Sequence, residues 1–287
     1  MKFFCILDPK KNAWAKELFE KTCKEKSIEY IELSVRPNKL DFVNYPRPQK
    51  GDALYRASAN NINAKKLEYC LVKDGVATLY SSPEVIFRPA AGIKLEKMGI
   101  SSPRTIPVLT NDRDILKENV NYLGGFPIII KAMGGKEGVG IMRVDSYEAL
   151  YSLADFLCKN DGSFLIRKYI DVRESIRTIV LGERILAAIK YKASREDDFR
   201  SNRKTPTSNA SVFECDEIIE RLSIDSVRAM GLEFGGLDIL IDEAGQAHVL
   251  EVNFPCQFGE VQEITSVDIA GEMLDYLKDK AVSFRKI

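Results

Sequence analysis

Apolar positions along the chain alternate between two rhythms. Residues 3–7 (FFCIL) form a continuous apolar run of strand length, and 28–33 (IEYIEL) alternate with period two, as a half-buried strand does. Between them, residues 12–26 carry Trp14, Leu18, Phe19 and Cys23 at roughly helical spacing. A Pro/Asn-rich stretch at 36–48 leads to another apolar strand at 53–57 (ALYRA). Strand, helix, strand in this order predicts a small βαβ-type domain. Pro83, Pro89 and Gly92 then punctuate a boundary, and 93–99 reads as a short helix stopped by Gly99.

The second half is more sharply patterned. FPIIIKA at 126–132 is an apolar run with one lysine, followed by MGGKEGVG and IMRV, which together predict a hairpin with a glycine-rich tip. Residues 146–159 predict a helix capped by Ser146, with Leu150, Leu153, Ala154 and Leu157 on one face. FLIRKYI at 164–170 is a strand, and SIRTIVL with ILAAIKY form a hairpin about Gly182-Glu183. Residues 193–211 are polar and carry no periodicity. A helix over 216–230 ends at Gly231. Two strands, GLDILI and AHVLEVN, and a last helix from about 266 to 278 close the chain. There is no internal repeat.

Composition narrows the function classes. The 287 residues are 45% hydrophobic and 29% charged, an ordinary globular balance. Lys plus Arg and Asp plus Glu each number 42, and this neutrality argues against a general nucleic-acid binder, which needs a basic footprint. The segment MKFFCILDPK has five apolar residues before Asp8, too few for a signal-peptide core, and no apolar run approaches the ~20 residues of a membrane span. Six scattered cysteines without CxxC spacing, and a single histidine, fit reduced thiols in a cytoplasmic protein rather than a Cys/His metal site.

The last hairpin carries the clearest chemistry. With Ala244-Gly245 as a two-residue turn, paired positions sum to 489, and Asp238 lies opposite Glu251. Alternation places Asp238, Leu240 and Asp242 on one face with Val249, Glu251 and Asn253, and Leu237, Ile239, Ile241, His248, Leu250 and Val252 on the core face. Like charges directly opposite destabilise a sheet unless a cation sits between them. Hard oxygen donors of this kind suit Mg2+. The plainer alternative is a solvated hairpin whose acids face water.

Two further features stand beside it. Lys131 follows three isoleucines, where a buried ammonium is costly without an anion, and leads into a loop with Gly134, Gly135, Lys136, Gly138 and Gly140. Glycines let backbone N–H groups approach phosphate oxygens, although such a tip often only turns the chain. The segment DDFRSNRK (197–204) carries Arg200, Asn202 and Arg203, and reads on its own as a basic loop. His248 is expected at the core edge, and Tyr169 and Tyr191 as packing residues.

The order of FPIIIKAMGGKEGVGI, FLIRKYI, SIRTIVLGERILAAIKYKA, DDFRSN, GLDIL, HVLEVN and VDIAGEML resembles that of ATP-grasp ligases of the RimK-like (α-glutamate ligase) family, over about residues 84–278. The resemblance implies a mixed α/β and α+β architecture, the ATP-grasp fold, in which two α+β subdomains grip ATP behind a small βαβ domain. The expected divisions are 1–88, 89–163 and 164–287. It implies ATP and Mg2+ (or Mn2+), a carboxylate substrate and an amine acceptor, an acyl phosphate, and a homo-oligomer without membrane or nucleic-acid partners. It assigns the metal ligands to Asp238, Glu251 and Asn253, in agreement with the hairpin arithmetic. Lys131 would meet the α/β-phosphates, joined by Arg88 and by the loop of Gly134, Gly135, Lys136 and Gly138. Lys168, Tyr169 and Ile170 would be the hinge that reads adenine. Arg200, Ser201 and Asn202 match phosphate and acyl-phosphate contacts, and Lys192 sits where a basic residue is usual.

There are departures. Lys168 replaces an acidic hinge residue, and the ribose-contacting Asp falls at Ser175, beside Glu174, which would stand in for it. RKTPTSNA replaces a basic-glycine stretch, and FPCQF follows Asn253 where SPG is usual. These departures motivate an alternative in the same fold: an ATP-binding regulatory or scaffold protein without ligase activity.

Overall fold

The computed structural model describes residues 1–36, 44–59, 61–87, 91–132, 139–159, 162–192 and 210–285. They build three sheets. In the first, β1 (Lys2–Leu7) lies between β2 (Glu29–Ser34) and β3 (Ala53–Arg56), both parallel to it. The crossover α1 (Ala13–Glu25) places Phe19 and Cys23 against Phe3, Cys5 and Tyr55, while α2 (Ile62–Leu71) covers Phe4, Ile6 and Leu54 on the other face. The βαβ expectation holds for these elements. The polar helix α2 has no apolar stripe strong enough to announce it, and its start is fixed by Asn61, whose side chain accepts from the amides of Asn63 and Ala64.

After α2 the chain packs along the C-terminal part before entering the middle. Tyr80, Val85, Ile86 and Leu95 of α3 (Ala91–Lys97) share a core with Ile176, Leu237, Ile239 and Val252. The central sheet then has the order β4-β7-β5-β6, from β4 (Thr105–Val108), β5 (Ile128–Ala132), β6 (Ile141–Val144) and β7 (Phe164–Lys168). Two boundaries therefore move. Strand β7 pairs with β4 and β5, so the central sheet runs past the division expected at 163/164, and α3 belongs to the C-terminal core rather than the central one. Helices α4 (Arg113–Tyr122) and α5 (Tyr147–Lys159) cover one face through Leu116, Val120, Leu150 and Ala154, which meet Ile128, Ile130, Phe164 and Ile166. Strand β4 and helix α4 were not legible in the sequence. The α4 cap is Asp112, which accepts from Asp114 and Ile115 amides, each at 3.0 Å.

The third sheet is antiparallel with order β10-β9-β8-β11-β12: β8 (Val172–Leu181), β9 (Arg184–Lys192), β10 (Ala210–Val212), β11 (Phe234–Asp242) and β12 (Ala247–Asn253). Helix α6 (Glu217–Ala229), capped by Asp216 at 2.8 Å from the Ile219 amide, packs on one face. Helices α7 (Gly259–Thr265) and α8 (Ile269–Arg285) join the other face to the first sheet. Helix α7 was not expected. Among the described residues no helix is long and apolar enough to cross a membrane, and all six cysteines are free.

Candidate active site

The β11–β12 hairpin reaches the expected pairing by a different route. The strands are joined by a three-residue turn, 243–245, and near it pairs sum to 488: Ile241 with Ala247, Leu240 with His248, Ile239 with Val249. A bulge then takes up Leu250 as an extra residue of β12, and the register becomes Asp238 with Glu251 and Gly236 with Asn253. The longer turn and the bulge offset each other, so the carboxylates do face each other. Between turn and bulge the faces are inverted relative to the arithmetic. Val249 lies in the core with Leu237 and Ile239, while His248 is opposite Leu240, on the side of Asp238. His248 is therefore not a core-edge residue. Its Nε2 is 2.9 Å from Asp242 and its Nδ1 3.0 Å from Ser101.

Asp238 is buried, and its Oδ1 accepts from Arg177 of β8 at 2.9 Å. Its Oδ2 accepts from Asn253 Nδ2 at 3.2 Å. Arg177 stands directly opposite Asp238 across the β8–β11 ladder and also donates to the Gln257 carbonyl at 3.1 Å. Burial pushes the Asp238 carboxyl above its ordinary value, and Glu251 adds to the rise against the pull of Arg177. Burial works against the Arg177 charge, yet Asp238 and the other negative neighbours prevail and hold it in the charged form. Tyr191 shares this face and donates to Glu260 of α7 at 3.1 Å.

The donor chemistry fits Mg2+. Two carboxylates sit in register, and the amide that gives Nδ2 to Asp238 keeps its own oxygen as a third hard donor. Among the described residues no group of three His, Cys, Asp or Glu side chains could hold a metal.

The central sheet offers cations. Its face away from α4 and α5 bears Ile129, Lys131, Arg143, Leu165 and Arg167, as the pairing of Lys131 with Leu165 and of Ile129 with Arg143 and Arg167 requires. Lys131 is half-buried at the end of β5. At the hinge, Lys168 is exposed and donates its amide to the Arg104 carbonyl, Arg143 lies 4.6 Å over the Tyr169 ring, and Ile170 is half-buried.

Ser175 is buried opposite Leu240 on the Asp238 face, whereas Glu174, one residue earlier, shares the other face with Ile176 and Ile241. Glu174 is thus turned from the side on which it was expected to stand in for the ribose contact. Lys192 pairs with Glu174 through the β9 backbone. Arg88, Gly134, Gly135, Lys136, Gly138, Arg200, Ser201 and Asn202 lie outside the described residues.

Two site residues escaped the sequence: Arg177 and Arg167. Both sit at odd positions of strands whose odd positions face the site. Only the β8–β11 pairing, 61 residues apart in sequence, brings Arg177 to Asp238.

The three-sheet arrangement with a carboxylate hairpin is that of ATP-grasp proteins. The D-cycloserine synthetase DcsG superposes with a TM-score of 0.75 at 13% identity, over 98% of this chain and 100% of that one. The ATP-grasp ligase PsnB, complexed with its minimal precursor, gives 0.74 at 16%, over 98% and 99%. Residues 92–277 match the RimK-like ATP-grasp domain, and the chain belongs to that family. A probable alpha-L-glutamate ligase of Citrobacter koseri is 31% identical over 191 residues, 65% of this chain and 61% of that protein. A ribosomal protein bS6–L-glutamate ligase of Escherichia fergusonii is 30% identical over 189 residues, again 65% and 61%. The match thus spans about three fifths of the length of these relatives.

Proposed function

We propose that the protein is an ATP-dependent carboxylate–amine ligase, forming an amide or peptide bond through an acyl phosphate and releasing ADP and phosphate. The observation that carries this reading is the in-register Asp238–Glu251 pair completed by Asn253. In this reading these three hold Mg2+, for which Mn2+ can substitute. Mg2+ held by these residues would neutralise phosphate charge during transfer. Lys131, with Arg88 and the loop of Gly134, Gly135, Lys136 and Gly138, holds the phosphates. In this reading the backbone of Lys168, Tyr169 and Ile170 reads adenine, and Ser175 takes the family's ribose-contacting position. Arg177 aligns Asp238 and pulls against the rise that burial gives its carboxyl group. Arg200, Ser201, Asn202 and Lys192 are assigned to the transferring phosphoryl and acyl groups. The amine attacks the acyl carbon, the bond to phosphate oxygen breaks, and the amine proton leaves to a base.

The names of the relatives make L-glutamate with a protein or peptide carboxylate the first pair to test. The test is to incubate the protein with Mg2+, ATP, glutamate and peptide acceptors and to separate the nucleotides. ADP and phosphate appearing in step with a mass gain of one glutamyl residue is expected. AMP and pyrophosphate would overturn the mechanism. Tight ATP binding with no ADP released across a broad screen of acids and amines would favour the non-catalytic alternative.

A further inference from the structure

The central subdomain is an insertion, entered through Ser101–Thr105 and left through Lys168–Val172. The inbound crossing is fastened to β12. On the inbound crossing, the Ser101 carbonyl accepts from the Val249 amide at 2.8 Å, and the Ser101 hydroxyl meets His248, which is held in turn by Asp242. The crossings are tied to each other by the Lys168 amide on the Arg104 carbonyl at 2.9 Å.

Arg167 joins all three strands. It belongs to β7, donates Nε to Thr105 Oγ1 at 2.8 Å and donates Nη1 to the Leu250 carbonyl at 3.3 Å. Leu250 is the extra residue of the β12 bulge, and Glu251 follows it directly. Burial pushes the Arg167 guanidinium below the ordinary arginine value, and Glu251 is the charge that counters this. Glu251 therefore lies in the field of two half-buried guanidinium groups, Arg167 from the central sheet and Arg177 from its own.

We infer that Arg167 is a positioning residue that couples movement of the central subdomain to the placement of Glu251; this rests on the ATP-dependent ligase reading above. Lys131 sits on the face of the central sheet that carries Arg167. A nucleotide drawn onto that face displaces β4 and β7 together, because Arg104, Thr105 and Arg167 bind the two crossings into one unit. The planar guanidinium passes the displacement to the Leu250 carbonyl. A bulge interrupts the ladder, so this is the point of β12 where backbone can yield without breaking a regular pair. Glu251, one bond further, moves with it. Coupling of this kind is reciprocal, so metal at Glu251 favours the nucleotide-bound arrangement of the central sheet.

The test separates transmission from direct contact between metal and phosphate. Backbone hydrogen exchange at Val249, Glu251 and Val252 is measured in EDTA, with and without saturating metal-free ADP. In the wild type, nucleotide is expected to slow exchange there by about fivefold or more, the low end of typical coupling. In Arg167→Gln, at nucleotide saturation verified by calorimetry, the change at β12 should fall below about twofold. Arg167→Lys keeps the charge, and so the fold, but cannot span both partners with one planar fork, and it should lose the transmission as well. If β12 is unaffected by nucleotide in the wild type, or if either folded variant still transmits the change, Arg167 only packs the hinge and the inference fails while the ligase reading stands. If the wild type binds no nucleotide under any condition, both fail together.

Discussion

Two arginine–carboxylate pairs, one fully buried and one partly so, sit in different sheets and have different consequences. In the N-terminal sheet, Arg56 donates Nε to Glu68 at 2.6 Å, and its Nη1 serves the carbonyls of Ser58 and Ala59 at 2.9 and 3.1 Å. In the C-terminal sheet, Arg177 meets Asp238 at 2.9 Å. Burial raises the pKa of both carboxyl groups above the ordinary range. The first pair has one positive and one negative member. The second has a further carboxylate, Glu251, directly across the strand, and a second guanidinium, Arg167, whose burial Glu251 counters from the central sheet. A balanced pair closed on itself is a structural tie. A cluster that sets two carboxylates opposite each other on one face keeps a pair of hard oxygen donors together, the kind of donors that suit Mg2+.

Breaking each pair should show this contrast. The largest effect is expected at Glu251→Gln, with turnover falling by about a thousandfold or more, roughly 4 kcal/mol of transition-state stabilisation. The same variant should melt at the wild-type temperature or slightly above it without ligands, yet lose most of the rise that Mg2+ and ATP give the wild type. A variant that keeps that full rise would make Glu251 structural.

Next come the arginines. Arg56→Met leaves Glu68 buried without its cation and should cost about 3–5 kcal/mol in urea unfolding, and the double variant Arg56→Met/Glu68→Leu should recover most of the loss. Arg177→Met should cost a similar amount, but there Mg2+ should restore part of it, whereas Mg2+ should restore nothing in Arg56→Met. Equal responses to Mg2+ would erase the distinction between the pairs.

Lys131→Ala should weaken ATP binding by roughly 1.5–3 kcal/mol, the worth of one charge-assisted contact, as read by calorimetry, with the melting temperature of the free protein unchanged. The smallest effect is expected at Phe254→Leu. Phe254 follows Asn253, and its ring lies 6.2 Å from Tyr55, 5.7 Å from Tyr80 and 5.9 Å from the Arg56 guanidinium. A substitution of this size should cost no more than about 1.5 kcal/mol of stability. Any loss of metal affinity at unchanged stability would show that the balanced pair also steadies the site.

The sequence made some of this readable and hid the rest for physical reasons. Alternation and apolar runs exposed β1, β5, β8, β9, β11 and β12, because strands buried on one or both faces must carry such patterns. Strand β4 (TIPV) is short and contains proline, and α4 and α2 have polar exposed faces, so none stood out. The Asp238–Glu251 pairing was recoverable because a hairpin is local. Arg177 and Arg167 were not, since their partners lie 61 and 83 residues away in sequence. Strand β7 went to the wrong subdomain for the same reason: its neighbours β4 and β5 are long-range partners, while β8 is merely next in sequence.

The extra residue at Leu250 also bears on how such hairpins vary. A two-residue turn with regular strands, and a three-residue turn with one bulge, deliver the same pair of acids to the same place. Deleting Leu250 alone should close the bulge and leave Asp238 opposite Glu251 across a three-residue turn, and deleting Glu243 alone should keep the bulge behind a two-residue turn with the same pair. Deleting both should give a two-residue turn with regular strands and, again, the same pair. Turn length and strand regularity in this hairpin are then each free to drift, because the flanking pairs rather than the turn hold the two acids in step.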